Sequence, residues 1–460
     1  MKEFNFEKLP IVEIANEIIM DAVNKGASDI HFDPSQDSLK IRFRIDGVLS
    51  DYSIVPSKYK RNMISRIKMI AGMNIMETRL PQDGAIKSKI GDRFLDLRVS
   101  SLPTNNAEKI VIRILDYSMS LAGLDNLGFS EDAMEKINRL IKIPNGIILV
   151  TGATGTGKST TLYSILQKLN TEAVNIITVE DPVEMDIEGI NQVQTQSEIG
   201  LTFATILRSI LRQDPNIIMI GEIRDDETAR IAVRASITGH LVLSSLHTNN
   251  SLNTIERLTD MDVERYLLGS SLEGIISQRL ARKVCPECSI KRPTTDYERQ
   301  VFKTVLGKDV LEMVVANKEG CPKCTHGYKG RLAILEVLVM NEQIKDAITN
   351  GANKNTLREL VYTGDVVTLL QDGLNKVVLG ETTFEEILKI VDLENDMTQY
   401  NDDNLKTNLK MAQQAHKVDN KTNDKPITSN ITNDKPITSN ITSEFKIEKT
   451  NNENIETVEF

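Results

Sequence analysis

The 460-residue sequence predicts a doubly wound α/β core preceded by an α+β domain. Three observations carry that expectation. From about Gly146 onward, short apolar runs ("GIILV", "VNIITV", "NIIMI", "HLVLSS") alternate with helical segments, as parallel strands covered on both faces do. The first of these runs leads directly into a glycine-rich loop and then a helix. Ahead of it, residues 1–116 pair an amphipathic helix with stretches of period-two alternation, the pattern of half-buried strands.

Taken in order, "IVEIANEIIMDAVNKG" keeps Ile11, Ile14, Ala15, Ile18 and Ala22 at helical spacing, with Gly26 placed to end the helix. Leu39, Ile41, Phe43 and Ile45 then alternate with Lys40, Arg42, Arg44 and Asp46 before an Asp-Gly turn, which announces a hairpin. Leu95 to Ser100 and Ile110 to Leu115 alternate in the same way. Between the apolar runs of the core, Leu201 to Arg212 forms a helix with Ile206, Leu207, Ile210 and Leu211 turned inward. Beyond residue 395 the composition turns to Asn, Thr, Asp and Lys, and "TNDKPITSNI" occurs at Thr422 and again at Thr432. Such a polar, proline-bearing segment buries too little surface to offset chain entropy, so residues 396–460 are expected to be disordered.

A chain of this length exceeds what one core supports. The expected divisions are 1–116 for the α+β domain, 117–283 for the α/β core, 284–331 for a cysteine-bearing insert, 332–395 for a helical C-terminal subdomain, and the tail. Lys plus Arg number 55 against 65 Asp plus Glu, a formal charge of −10. This balance argues against a nucleic-acid-translocating motor on a similar core, which would show a basic surface. No run of 18 apolar residues occurs and the N-terminus has no secretion-signal core, so a soluble, cytoplasmic protein is expected.

The segment "GATGTGKS" fits the phosphate-loop pattern in its proper setting of strand, loop and helix. Gly152, Ala153, Thr154, Gly155, Thr156 and Gly157 would close backbone N–H groups around phosphates, Lys158 would reach the outer phosphates, and Ser159, followed by Thr160, would ligate magnesium. These features make ATP the expected substrate and Mg²⁺ its companion. A non-hydrolysing scaffold is disfavoured by carboxylates at two further strand ends. "IITVEDPVE" offers Glu180, Asp181 and Glu184, and "NIIMIGEIRDDET" offers Glu222 and Asp225. Glu184 and Asp225 are as easily solvated loop acids. The second segment is unusual: a phosphate-loop protein ordinarily ends this strand in aspartate, whereas here Gly221 and Glu222 stand at that point. His240 and His247 flank a third strand and are candidates for sensing phosphate.

Four cysteines occur as "CPEC" (Cys285, Cys288) and "CPKC" (Cys321, Cys324). Two C-x₂-C knuckles supply four thiolates, enough to close a tetrahedral Zn²⁺ site with no open position, so the expected role is structural.

Together the glycine loop, "TVEDPVE", "LRQDPNIIMIGEIRDDETA" and "TGHLVLSSLHTNN" resemble the Walker A, aspartate-box, Walker B and histidine-box motifs of the secretion ATPases. The branch of type II secretion and type IV pilus assembly ATPases is the nearest in pattern. The resemblance runs over residues 8 to 394 and includes "ASDIHFDP", "RFRIDGVL", "RLPQDG" and "QDGLNKVVLGETTFEEIL". In that family the Walker B strand ends in Gly-Glu, so Glu222 is the family's own choice. The resemblance implies a RecA-like P-loop NTPase core, a homo-hexameric ATP-hydrolysing motor for pilus or pseudopilus assembly, a polytopic inner-membrane platform protein as partner, and a station at the inner face of the cytoplasmic membrane. It implies Glu180 as water-positioning base and Glu222 as magnesium-side carboxylate, though these roles are exchangeable. His240 and His247 would contact the phosphate region, and Arg98 and Arg113 would reach the γ-phosphate from the N-terminal domain. The tetracysteine insert marks the assembly branch and is absent from the retraction branch. Asn216, where the family commonly has aspartate, departs from the pattern without touching the phosphates. So does "GRLAILEVL", and the chain opens almost at once with the family's own N-terminal domain.

Overall fold

The computed structural model describes residues 1–90, 93–116, 123–391 and 446–448. They divide into two compact units, one built on Met1–Ser118, to which Lys446–Glu448 also belongs, and the other lying within Met119–Pro426.

The first unit holds α1 (Ile11–Asn24), β1 (Ala27–Pro34), β2 (Ser38–Ile45), β3 (Val48–Pro56), α2 (Ser57–Ile70), β4 (Gln82–Ile90), β5 (Arg93–Pro103) and β6 (Glu108–Asp116). The strands pair antiparallel in the order β4-β5-β6-β1-β2-β3. The alternation read from the sequence is borne by this sheet. Ile30, Phe32, Leu39, Ile41, Phe43, Leu97, Val99, Ile110 and Ile112 face inward against Ile14, Ile18, Met63 and Ile67 of the two helices. Asp46 and Gly47 take positive φ (50° and 83°), which suits a tight hairpin turn between β2 and β3. The tail expected to be disordered, 396–460, lies outside the described residues except for Lys446–Glu448, a short strand antiparallel to β4.

The second unit begins with α3 (Glu131–Leu140). There follow β7 (Gly146–Thr151), α4 (Lys158–Leu169), β8 (Ile176–Glu180), β9 (Asn191–Gln194), α5 (Phe203–Ile210), β10 (Ile217–Ile220), α6 (Asp226–Ile237), β11 (Leu241–Leu246), α7 (Ser251–Asp260), α8 (Arg265–Ser271) and β12 (Leu272–Val284). Next come β13 (Ile290–Pro293), α9 (Asp296–Leu306), β14 (Glu312–Val315), β15 (Tyr328–Val339), α10 (Glu342–Thr349), α11 (Lys354–Tyr362), α12 (Leu369–Val378) and α13 (Phe384–Ile390). The helix expected from Leu201 starts at Phe203, because the Thr202 hydroxyl accepts the Thr205 N–H and caps it.

The main sheet runs β15-β12-β7-β11-β10-β8-β9, parallel throughout except for β15. Every residue of β7, β8, β10 and β11 is buried, as strands covered on both faces require. Alternate side chains serve opposite layers. Ile147, Leu149, Ile218 and Val242 pack with α5, α6 and α7, whereas Ile148, Val150, Met219 and Leu243 pack with α3 and α4. Strand order reverses at β7, with β11, β10 and β8 to one side and β12 to the other. In such sheets ligands bind outside the carboxyl ends of the strands at the reversal.

Candidate functional site

The carboxyl ends of β7, β11, β10 and β8, adjacent in the sheet, carry respectively the glycine loop, His247, Glu222 and Glu180. The loop's shape explains its glycines. Gly152 has φ 153°, and a Cβ there would lie 2.5 Å from Thr156 Oγ1 and 2.6 Å from the Gln278 carbonyl. Gly157, at φ 88°, turns the chain into α4. Ala153, Thr154 and Gly155 are exposed, as is Ser159 in the first turn of α4 with Thr160 beside it. A loop of this kind followed by a helix N-terminus points unpaired N–H groups and positive dipole at an anion. Lys158 Nζ donates to the carbonyls of Gly152 (3.0 Å) and Ala153 (3.1 Å). Burial lowers its ammonium below the usual lysine range, Glu222 opposes the shift and Arg279 adds to it.

Glu222 is bound by Arg224, and its Oε2 meets His247 Nε2 at 3.0 Å. Arg224 also reaches Asp181 at 3.1 Å, so residues from β8 and β10 are tied across the site. Burial pushes the Glu222 carboxyl up, but the hydrogen bonds and charges of Arg224 and His247 outweigh it and hold the group below the usual range. Glu180 is placed differently. It is 3% exposed and accepts hydrogen bonds from Tyr163, from Thr178 Oγ1 (2.5 Å) and from Gln192 Nε2 (3.1 Å). Asp225 is occupied as the cap of α6, accepting the Thr228 N–H at 2.8 Å.

The cysteine knuckles follow β12 and precede β15, and the antiparallel pairing of those strands, which sets Val284 opposite Tyr328, brings the knuckles together. Sγ atoms of Cys285 and Cys321 lie 3.8 Å apart, those of Cys288 and Cys324 3.7 Å, and all four fall within 4.8 Å. A tetrahedron with metal–sulfur bonds of ~2.3 Å has edges of ~3.8 Å, so the thiols fit zinc. Burial and hydrogen bonds among the sulfurs push the Cys288 thiol up to about 12.

Within the first unit, Arg98 and Arg113 are cross-strand partners on β5 and β6, on the face away from α1 and α2. Arg113 also meets Asp29 Oδ1 at 3.1 Å. They line a cavity of about 580 Å³ with Asp83, Ser100 and Val111.

Residues 5–389 match the family model described as Type II/IV secretion system protein. The chain belongs to that family. Over 382 residues it is 46% identical to the putative type II secretion system protein E of Escherichia coli K12, covering 83% of this chain and 77% of the relative. Identity is 44% to the type II secretion system ATPase E of Vibrio cholerae (83% and 75% covered). It is 45% to the type IV pilus assembly ATPase PilB of Myxococcus xanthus (82% and 67%). Among solved structures, the pilus retraction motor PilT with bound ADP aligns with a TM-score of 0.53 at 25% identity, covering 86% of this chain and 98% of PilT. The Legionella pneumophila ATPase DotB shares the fold, with a TM-score of 0.61 at 22% identity, 84% of this chain and 97% of DotB being covered.

In this member of the secretion family the two histidines part company. His247 stands at the carboxyl end of β11 on Glu222, whereas His240 precedes the same strand at its amino end. Six strand residues at ~3.3 Å each set them roughly 20 Å apart. His240 Nδ1–H donates to the Ala235 carbonyl at 2.8 Å, which ties the end of α6 to the strand. The expectation was that both histidines contact the phosphate region; a parallel strand turns its carboxyl end to the crevice, which is where His247 stands and His240 does not. The secretion-family chain also uses residues that motif reading missed. Gln278 Nε2 donates to the Thr156 carbonyl (2.8 Å) and its Oε1 accepts from Thr161 (2.8 Å), clamping the loop to the first turns of α4. Arg279 anchors the segment after His247 through the Asn249 carbonyl (2.9 Å) and Oδ1 (3.0 Å). A glutamine inside the apolar strand "LEGIISQRLARKV" was the available signal.

Proposed function

We propose that the chain is a magnesium-dependent ATP hydrolase working as a homo-hexameric motor, which drives assembly of a type IV pilus or of a type II secretion pseudopilus. It works at the cytoplasmic face of the inner membrane through a membrane-embedded platform protein. Among the described residues, no helix is long and apolar enough to cross a membrane. The observation that carries the reading is the gathering of the phosphate loop, Glu222 with His247, and Glu180 at the carboxyl ends of four adjacent strands.

The chemistry follows from those positions. Backbone N–H groups of the loop and first turn of α4 receive the phosphates, and Lys158 exchanges its two carbonyl partners for phosphate oxygens. Ser159 and Glu222 would hold magnesium, which would supply positive charge against the transferring phosphoryl group. Glu180 orients the attacking water, and His247 senses the outer phosphate while steadying Glu222. Arg98 and Arg113, carried on the separate N-terminal unit, neutralise charge that develops in transfer and make turnover depend on domain movement. Cys285, Cys288, Cys321 and Cys324 would hold a structural zinc, which would pin the end of β12 to the start of β15.

Lys158→Ala and Glu222→Gln are each expected to abolish phosphate release while leaving thermal unfolding near wild type. Substantial ATP turnover in both variants would overturn the assignment.

A further inference from the structure

The most densely partnered group beside the phosphate loop is the one that has to meet water. Three donors occupy the Glu180 carboxyl group, and it is almost fully enclosed. A carboxylate offers about four acceptor sites, so little capacity is left for a nucleophile in this conformation. Glu222, on the neighbouring strand, keeps 19% of its side chain exposed.

The partners of Glu180 are not scattered. Tyr163 stands on α4, the helix that opens with Lys158, and its buried hydroxyl also accepts the Glu184 N–H at 3.0 Å. Gln192 Nε2 donates to the Met185 carbonyl (2.9 Å), and its Oε1 accepts the Ile187 N–H (2.8 Å). One hydroxyl therefore joins the phosphate-loop helix to Glu180 and to the chain that follows it. A shift of α4 cannot leave Glu180 undisturbed.

We propose that Tyr163 is a positioning residue that stows Glu180 away from the site until movement of α4 breaks their hydrogen bond. This rests on the reading above that Glu180 orients the attacking water. Glu180 has two positions, stowed against Tyr163, Thr178 and Gln192, or forward at the water. Phosphate engagement at the first turn of α4 is felt less than two turns later at Tyr163 and shifts the balance forward. Tyr163 touches no reacting atom and acts only through Glu180.

The test is steady-state ATP hydrolysis by the full chain with Mg²⁺, comparing wild type with Tyr163→Phe, Thr178→Val, Glu180→Gln and the Tyr163→Phe/Glu180→Gln double variant. Tyr163→Phe keeps the ring in its pocket and removes one charge-assisted bond from the stowed position. It is expected to raise kcat by about 5- to 10-fold while KM for ATP stays within about twofold, the direction in which loss of such a bond biases two positions. Thr178→Val, which removes a second donor, raises kcat in the same way and carries the test if Tyr163→Phe fails to fold. The double variant is as inactive as Glu180→Gln. A merely structural tyrosine would instead lower the melting temperature and kcat together. If Glu180→Gln is inactive but neither hydroxyl deletion raises kcat, the stowing role is overturned while the water-orienting reading of Glu180 stands. If Glu180→Gln retains turnover, that reading fails and the stowing role falls with it.

Discussion

Glu336, in the middle of β15, is fully buried beside the site. Its Oε1 accepts the Ser251 N–H at 2.9 Å at the start of α7, while Oε2 has no hydrogen-bond partner among the described residues. Burial pushes its carboxyl above the usual glutamate range, and the Ser251 and Arg279 contacts only partly offset the rise. The sign follows from proton linkage. Between the unfolded value and the raised folded one, the unfolded chain has released a proton that the folded chain keeps, so stability falls as pH rises through that window. Glutamine keeps the acceptor and does not titrate. The melting temperature of Glu336→Gln relative to wild type is therefore expected to improve as pH rises above the ordinary glutamate range, and a gap independent of pH would show that Glu336 is not held protonated. At this scale the sequence was legible where a motif names a residue. Lys158 and Glu222 stand where their motifs put them, at the phosphate loop and on His247. Gln278 and Tyr163 were not legible, because their importance lies in a hydrogen bond to a residue more than fifteen positions away.

At the scale of elements, a strand's direction decides what its ends can do. Period and polarity placed "HLVLSS" as a strand, but parallel pairing with β10 and β7 was needed to send His247 to the crevice and His240 to the opposite edge. The cysteine insert shows the converse. The C-x₂-C spacing predicted each knuckle, and the pairing of β12 with β15 merely joined them. Metal binding here is coupled to folding, because four thiols this close repel when ionised without a cation. Purified protein is expected to hold about one zinc per chain by elemental analysis, the load of a closed four-thiolate site. Replacing all four cysteines with serine should remove the metal and lower the melting temperature. Carefully purified protein without metal would refute the structural zinc.

At the scale of the whole molecule, two units divide the labour proposed for the motor. The nucleotide loop belongs to one and the arginine pair to the other. If Arg113 supplies charge to the transition state, Arg113→Ala should lower kcat by about 10³-fold or more while nucleotide still binds, since arginines of this kind act on transfer. An equal loss of nucleotide affinity, measured by titration of a fluorescent ATP analogue, would assign Arg113 to binding instead. A nearly unchanged kcat would show that the exposed arginine serves only its pairing with Asp29.

The sequence by itself determined the elements and the chemistry that travels with contiguous motifs: the phosphate loop, the acidic strand ends, the cysteine knuckles and the alternating strands of the first unit. These follow from local rules of period, turn chemistry and ligand spacing, which a linear string contains. Only the tertiary structure decided which strand ends share a crevice, that His247 stands at the carboxyl end of its strand and His240 at the amino end, and that Glu180 lies against a tyrosine of the phosphate-loop helix. The physical reason is that strand order and long-range hydrogen bonding depend on how distant segments pack, and no spacing along the chain encodes those distances.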